Sequence, residues 1–80
     1  MLMKVAIKYF GPLAELMGRS SQERETAAAT VGELIHELCK EAPKLKQEQF
    51  QVAVNQHMAT LETALIVNAE IAFLPPFSGG

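Results

Sequence analysis

The most distinctive chemical group in this sequence is the carboxylate of Gly80, which closes the segment Leu74-Pro75-Pro76-Phe77-Ser78-Gly79-Gly80. Each proline fixes φ and removes a backbone donor, so the stem favours a stiff, polyproline-type path. The two glycines present no side chain and accept almost any backbone conformation. A stiff stem with a bare tip suits a narrow slot in another protein, and seven extended residues reach roughly 25 Å. A carboxylate is a poor electrophile, because its charge repels nucleophiles and its oxygens leave badly. Activated as an acyl-adenylate, it can be attacked by sulfur to give a thiocarboxylate, or by an amine to give an amide. Glycine at the last two positions lets an activating site close around the acyl group without a Cβ clash. Ser-Gly-Gly also fits an ordinary frayed end. Here, however, Ile71-Ala72-Phe73-Leu74 reads as a strand running into the prolines with no loose spacer.

The other reactive side chains have plainer roles. Cys39 falls on the apolar stripe of a predicted helix, where a cysteine acts as a small hydrophobe. His57 has no Asp anywhere in the chain to orient it and no Ser or Cys at a recognisable spacing, so a triad is not supported. His36 lies on the flank of the same helix with no visible partner. Glu33, Glu37 and Glu41 form an i, i+4, i+8 row, which is commonly a solvated helix face. One cysteine cannot make an internal disulfide, and two histidines with it do not supply a zinc set, so no metal site is expected. Without a GxGxxG or Walker pattern the chain has no nucleotide cradle of its own. An ATP-dependent activation of Gly80 would therefore need a partner that binds the ATP, and no independent catalytic site is expected.

These groups must be positioned by an 80-residue chain, near the small end of what folds alone. With 49% hydrophobic residues it can build a core. The net charge is −2, with no basic run, which gives no reason to expect nucleic acid. No apolar run approaches the ~20 residues of a membrane span, and the charged start does not read as a signal peptide. A cytoplasmic location is expected.

Met3, Val5, Ile7 and Tyr9 alternate with Lys4, Ala6 and Lys8, the period of a strand with one covered face. Gly11 breaks it, and Pro12 opens a short helix carrying Leu13, Leu16 and Met17, with Gly18 placed to end it. Ser20-Ser21-Gln22 reads as a turn before a charged edge strand over 23–27. Thr30 is placed to cap a helix, with Glu33 reaching back to the Thr30 N–H. Val31, Leu34, Ile35, Leu38, Cys39 and Ala42 then form one apolar stripe, which Pro43 stops. A polar connection over 44–49 leads to a strand with Phe50, Val52 and Val54 on one face. Asn55-Gln56 reads as a turn into a short continuation around 57–59. Thr63-Ala64-Leu65 fits a short helical turn, and Asn68 a turn before the last strand. The first and last strands are the natural sheet centre, paired in parallel. The expected fold is α+β: a mixed sheet of about four to five strands packed by one main helix plus a short one. Residues 1–74 would form the domain and 75–80 an extended tail.

The segment Phe10-Gly11-Pro12-Leu13-Ala14-Glu15-Leu16-Met17-Gly18, the strand and turn Val52-Ala53-Val54-Asn55-Gln56 and above all Ile71 to Gly80 resemble the ubiquitin-like sulfur carriers, specifically the small subunits of molybdopterin synthase. The resemblance covers essentially the whole chain, and the apolar-Pro-Pro-x-x-Gly-Gly ending is its most specific part. It implies a β-grasp fold. It also implies that an E1-like adenylating enzyme converts Gly80 to an acyl-adenylate and that a sulfur donor then makes a thiocarboxylate. The tail would enter the large synthase subunit and give its sulfur to cyclic pyranopterin monophosphate, building the dithiolene of molybdopterin. Ser78 and Gly79 would thread the channel, with Leu74, Pro75, Pro76 and Phe77 packed at its mouth. A heterotetramer with two large subunits at its centre is implied as well. The chain departs from the family pattern at Leu13-Ala14, where a basic residue is usual, and over 64–70. Other readings of the same tail are a thiamine-pathway sulfur carrier, a ubiquitin-like modifier joined to target lysines, and an interaction domain with an inert end.

Overall fold

In the computed structural model the described residues are 1–76. Strand β1 (Met3–Tyr9) buries Val5, Ile7 and Tyr9 and turns Lys4 and Lys8 outward, as its alternation dictates. Helix α1 (Pro12–Met17) follows, with Pro12 in its first turn and Gly18 ending it at φ 77°. Strand β2 (Ser21–Thr26) begins two residues earlier than the charge pattern suggested. Ser21 and Gln22 pair with Lys8 and Ile7 in the antiparallel ladder, where a turn was expected.

Helix α2 (Val31–Glu41) is capped by the Thr30 hydroxyl, which accepts from the Glu33 N–H at 3.2 Å. The reciprocal half of the cap differs from expectation: the Glu33 carboxylate accepts from Ala29 N–H at 2.9 Å, one residue before Thr30. Val31, Leu34, Leu38 and Cys39 are buried, while Ile35 and Ala42 lie half-buried at the stripe's edge. Beyond Pro43 the chain makes a 3-10 turn (Pro43–Gln47) that inserts Leu45 fully into the core. That stretch is thus more than a polar connection.

Strand β3 (Gln51–Val54) turns through Asn55 and Gln56, both at positive φ (51° and 70°), into the two-residue strand β4 (His57–Met58). Two consecutive left-handed residues are what a tight hairpin turn requires. No helical turn forms at 63–65. Ala64 instead makes an isolated antiparallel bridge with Thr30, and Leu65 N–H donates to Ala29 O at 2.9 Å. Asn68, at φ 63°, turns the chain into β5 (Glu70–Leu74).

The sheet order is β2-β1-β5-β3-β4, with β1 and β5 parallel and the other pairs antiparallel. β5 therefore lies at the centre, hydrogen-bonded on both edges, which shields it and fixes its register. Helix α2 covers one face over Val5, Ile7, Val52, Val54, Ile71 and Phe73, the heart of the single hydrophobic core. The other face carries Lys4, Ala6, Lys8, Gln51, Ala53, Met58, Glu70, Ala72 and Leu74, as the register requires. This is a β-grasp: a mixed sheet wrapped around one long helix.

Candidate functional site

The site is built around the root of the C-terminal tail. Phe73, fully buried, stands between Tyr9 and Phe50, with ring centroids 5.6 and 5.3 Å away in tilted arrangements. Its carbonyl accepts from the Phe10 N–H at 3.0 Å, which extends the β1–β5 ladder one residue past the end of β1. Leu74 pairs with Gln51 and is half-buried on the outer face. Pro75 is half-buried and Pro76 exposed. The chain thus leaves the centre of the sheet from a rigid anchor.

Pro75 rests on Gly11. A Cβ built on Gly11 would stand 3.5 Å from Pro75 Cγ and 3.9 Å from Cδ. Gly11 itself takes φ 60°, ψ −138°, a conformation that glycine alone adopts cheaply. Across the tail root, Glu48 and Gln49 face Pro12 and Leu13 over a shallow depression of about 280 Å³ that Pro75 and Pro76 also line. Of the residues expected to act, Leu74, Pro75 and Pro76 are thus brought together at one end of the sheet. Phe77, Ser78, Gly79 and Gly80 lie outside the described residues.

On the outer face an apolar strip leads up to the tail. Ala72 sits opposite Ala53, and Ala53 opposite Met58, which is 59% exposed. Leu74 continues the strip along β5. The Lys8–Glu70 pair at 3.0 Å borders it. Period-2 alternation marked Ala72 and Leu74 as sharing a face. Only the long-range register could add Ala53 and Met58, and only tertiary packing could seat Pro75 on Gly11.

The remaining candidate groups serve the fold. Cys39 is buried in the core. His36 and His57 are exposed. Among the described residues no three or more His, Cys, Asp or Glu side chains converge as a metal set. The glutamate row is not merely a solvated face. Arg24 of β2 forks onto Glu41 at 3.0 and 2.5 Å and reaches Glu37 at 3.4 Å. The Thr26 hydroxyl bonds the Glu37 carboxylate at 2.8 Å and accepts from Ala28 N–H at 2.9 Å. The hydrogen bonds from Arg24 hold the Glu41 carboxyl below its usual value, and the same bonds raise Arg24. Burial pushes the Tyr9 phenol up. None of these groups lines the tail root except through the packing they support.

The ThiS family model matches residues 7–80. The chain belongs to the ThiS family. A molybdopterin synthase sulfur carrier subunit of Mycobacterium tuberculosis is 36% identical over 99% of this chain and 100% of its own length. Among solved structures, the chain resembles one partner in the complex of subunits 1 and 2 of the molybdopterin-converting factor from Helicobacter pylori. That match has 30% identity over 98% of this chain and 100% of the other, with a TM-score of 0.65. It also resembles SAMP1, a small archaeal modifier protein of Haloferax volcanii, at 28% identity over 96% and 99% of the two chains, with a TM-score of 0.78. Family membership accounts for the β-grasp and for the segments quoted from the sequence.

Proposed function

We propose that the chain is the sulfur carrier subunit of a molybdopterin synthase. The observation that carries this reading is the end-to-end match with a curated subunit of that name. The tail root supports it, since a buried aromatic anchor, Phe73, leads directly into the proline stem that precedes Gly80 in the sequence. In this reading an E1-like enzyme binds ATP, and a Gly80 carboxylate oxygen attacks the α-phosphorus, releasing pyrophosphate. Hydrosulfide supplied by a sulfur donor then attacks the acyl carbon and expels AMP, leaving a thiocarboxylate. The charged tail enters the large synthase subunit, where the sulfur passes to cyclic pyranopterin monophosphate.

Leu74, Pro75, Pro76 and Phe77 pack at the mouth of the slot and Ser78 and Gly79 thread it. The Leu74, Ala72, Ala53 and Met58 strip is the adjoining docking face. The complex named for the Helicobacter relative is consistent with such a large-subunit partner. The assembly is a heterotetramer with two large subunits at its centre, working in the cytoplasm. No cofactor sits on the carrier itself.

Reconstitution tests this directly. The chain, the adenylating enzyme, ATP, a sulfur donor, the large subunit and cyclic pyranopterin monophosphate are expected to yield molybdopterin. Deleting Gly79-Gly80 abolishes the yield without shifting the melting temperature. A deletion that retains activity contradicts the reading. The likeness to SAMP1 favours one competitor, a modifier joined to lysines. An isopeptide-linked ladder in cells, with no molybdopterin formed in the reconstitution, would decide for it.

A further inference from the structure

We propose that Gly11 is a positioning residue: by carrying no side chain at a glycine-only turn, it keeps clear the surface against which Pro75 sets the direction in which the tail leaves the sheet. The inference rests on the sulfur-carrier reading for its consequence and on local geometry for its existence. Three constraints converge at this point. The Phe10 N–H holds the Phe73 carbonyl, so the residue two before Pro75 cannot shift along β1. Gly11, at φ 60° and ψ −138°, turns the chain away into α1 and leaves its own surface open. Pro75 borders that surface, its ring carbons 3.5 and 3.9 Å from where a Cβ would be, which leaves room for a methyl but not for a carbon beyond it in the same direction. On the far side Glu48 and Gln49 border the same depression.

A proline seated this way works as a lever. Its φ is fixed by the ring and its ψ is confined to the extended region by Pro76, so placing the ring narrows the heading of the next peptide. From Pro75 the remaining five residues can reach about 17 Å, and a swing of the ring is magnified over that distance. A tail aimed before encounter loses less conformational freedom on entering a narrow slot, which strengthens binding without new contacts. The effect belongs in the apparent affinity for the activating enzyme, whereas the chemistry at Gly80, five residues on in the sequence, is untouched.

Two substitutions separate the seat from the strain of the turn. Gly18→Ala carries the backbone strain of a positive φ (77°) at the end of α1, with nothing within 4 Å of its Cβ. Gly11→Val adds to such strain two stiffly held methyls on a Cβ that already stands 3.5 Å from Pro75 Cγ. ATP–pyrophosphate exchange by the E1-like adenylating enzyme, with the full chain as substrate, gives KM and kcat for each variant.

The expected result is a KM raised about fivefold or more in Gly11→Val and in Pro75→Ala, with kcat within about twofold of the parent. Gly18→Ala lowers the melting temperature and keeps the parent KM. The double variant Gly11→Val/Pro75→Ala rises no further than the worse single one, because both remove one contact. A parent KM in Gly11→Val, a KM raised as much in Gly18→Ala, or additive effects in the double variant overturn the proposal. Nuclear Overhauser contacts between Gly11 Hα and the Pro75 ring protons read the seat without activity. They are expected in the parent and lost in Gly11→Val, and their absence from the parent also overturns it. Failure of the parent to support exchange at all counts against the carrier reading, and the Overhauser contacts still decide the seat.

Discussion

Phe73 is the residue at which the core and the tail meet. Its ring fills the space between Tyr9 and Phe50, its carbonyl is held by Phe10, and two residues later the proline stem begins. Truncating it removes a fully buried aromatic and leaves a cavity beneath the tail root. Phe73→Ala is expected to destabilise the chain by about 3–5 kcal/mol, read from urea denaturation. Removing Gly79-Gly80, which carry the proposed chemistry, is expected to leave the same curve in place. At this scale the sequence was informative where chemistry is intrinsic to the residue type. The core cysteine could be judged from its immediate neighbours, because the apolar stripe that holds it is local. The Gly11–Pro75 seat could not, since 64 positions separate two residues that touch only because β1 and β5 pair in parallel.

At the scale of elements, strong periodicity carried through to the structure. β1, α1, α2 and β5 lie where alternation or helical spacing placed them, because each has several apolar residues voting for one face. The failures share a cause. Leu45 is a single buried residue in a polar run, and one residue has no period. The 61–69 segment is ordered by backbone bonds to the entry of α2, with Val31 N–H on Thr63 O at 3.0 Å and Gly32 N–H on Leu61 O at 2.9 Å. Such pairing leaves no local pattern.

The glutamate row shows the same limit, because its partner Arg24 is on another element. That clamp has a pH signature. The Arg24 hydrogen bonds depress the folded-state value of Glu41, so its stabilising effect is present above the ordinary glutamate pKa of about 4.3 and fades as the pH falls through and below it. Glu41 is largely exposed, so the effect is small. The urea midpoint of the parent is expected to fall more steeply than that of Glu41→Gln between about pH 5 and pH 3, the two curves converging at the acid end. Parallel curves would show that the clamp contributes nothing.

The whole molecule combines a hydrogen-bonded centre with an outgoing end. Because β5 is the central strand, its last residues cannot fray without opening two ladders, and the tail begins from the most constrained strand of the sheet. The outer strip and the tail root lie along that same strand, which suits a partner that grips the sheet while admitting the tail. The α+β sheet and helix could be anticipated from element order, while the outer apolar strip needed the register of β3 and β4. The central claim concerns Gly80, and intact mass spectrometry of the protein purified from its own cells tests it most directly. The account predicts a species heavier by one oxygen-to-sulfur exchange, mapped to Gly80. Finding only the free carboxylate on an intact tail, in cells actively making molybdenum cofactor, would contradict it.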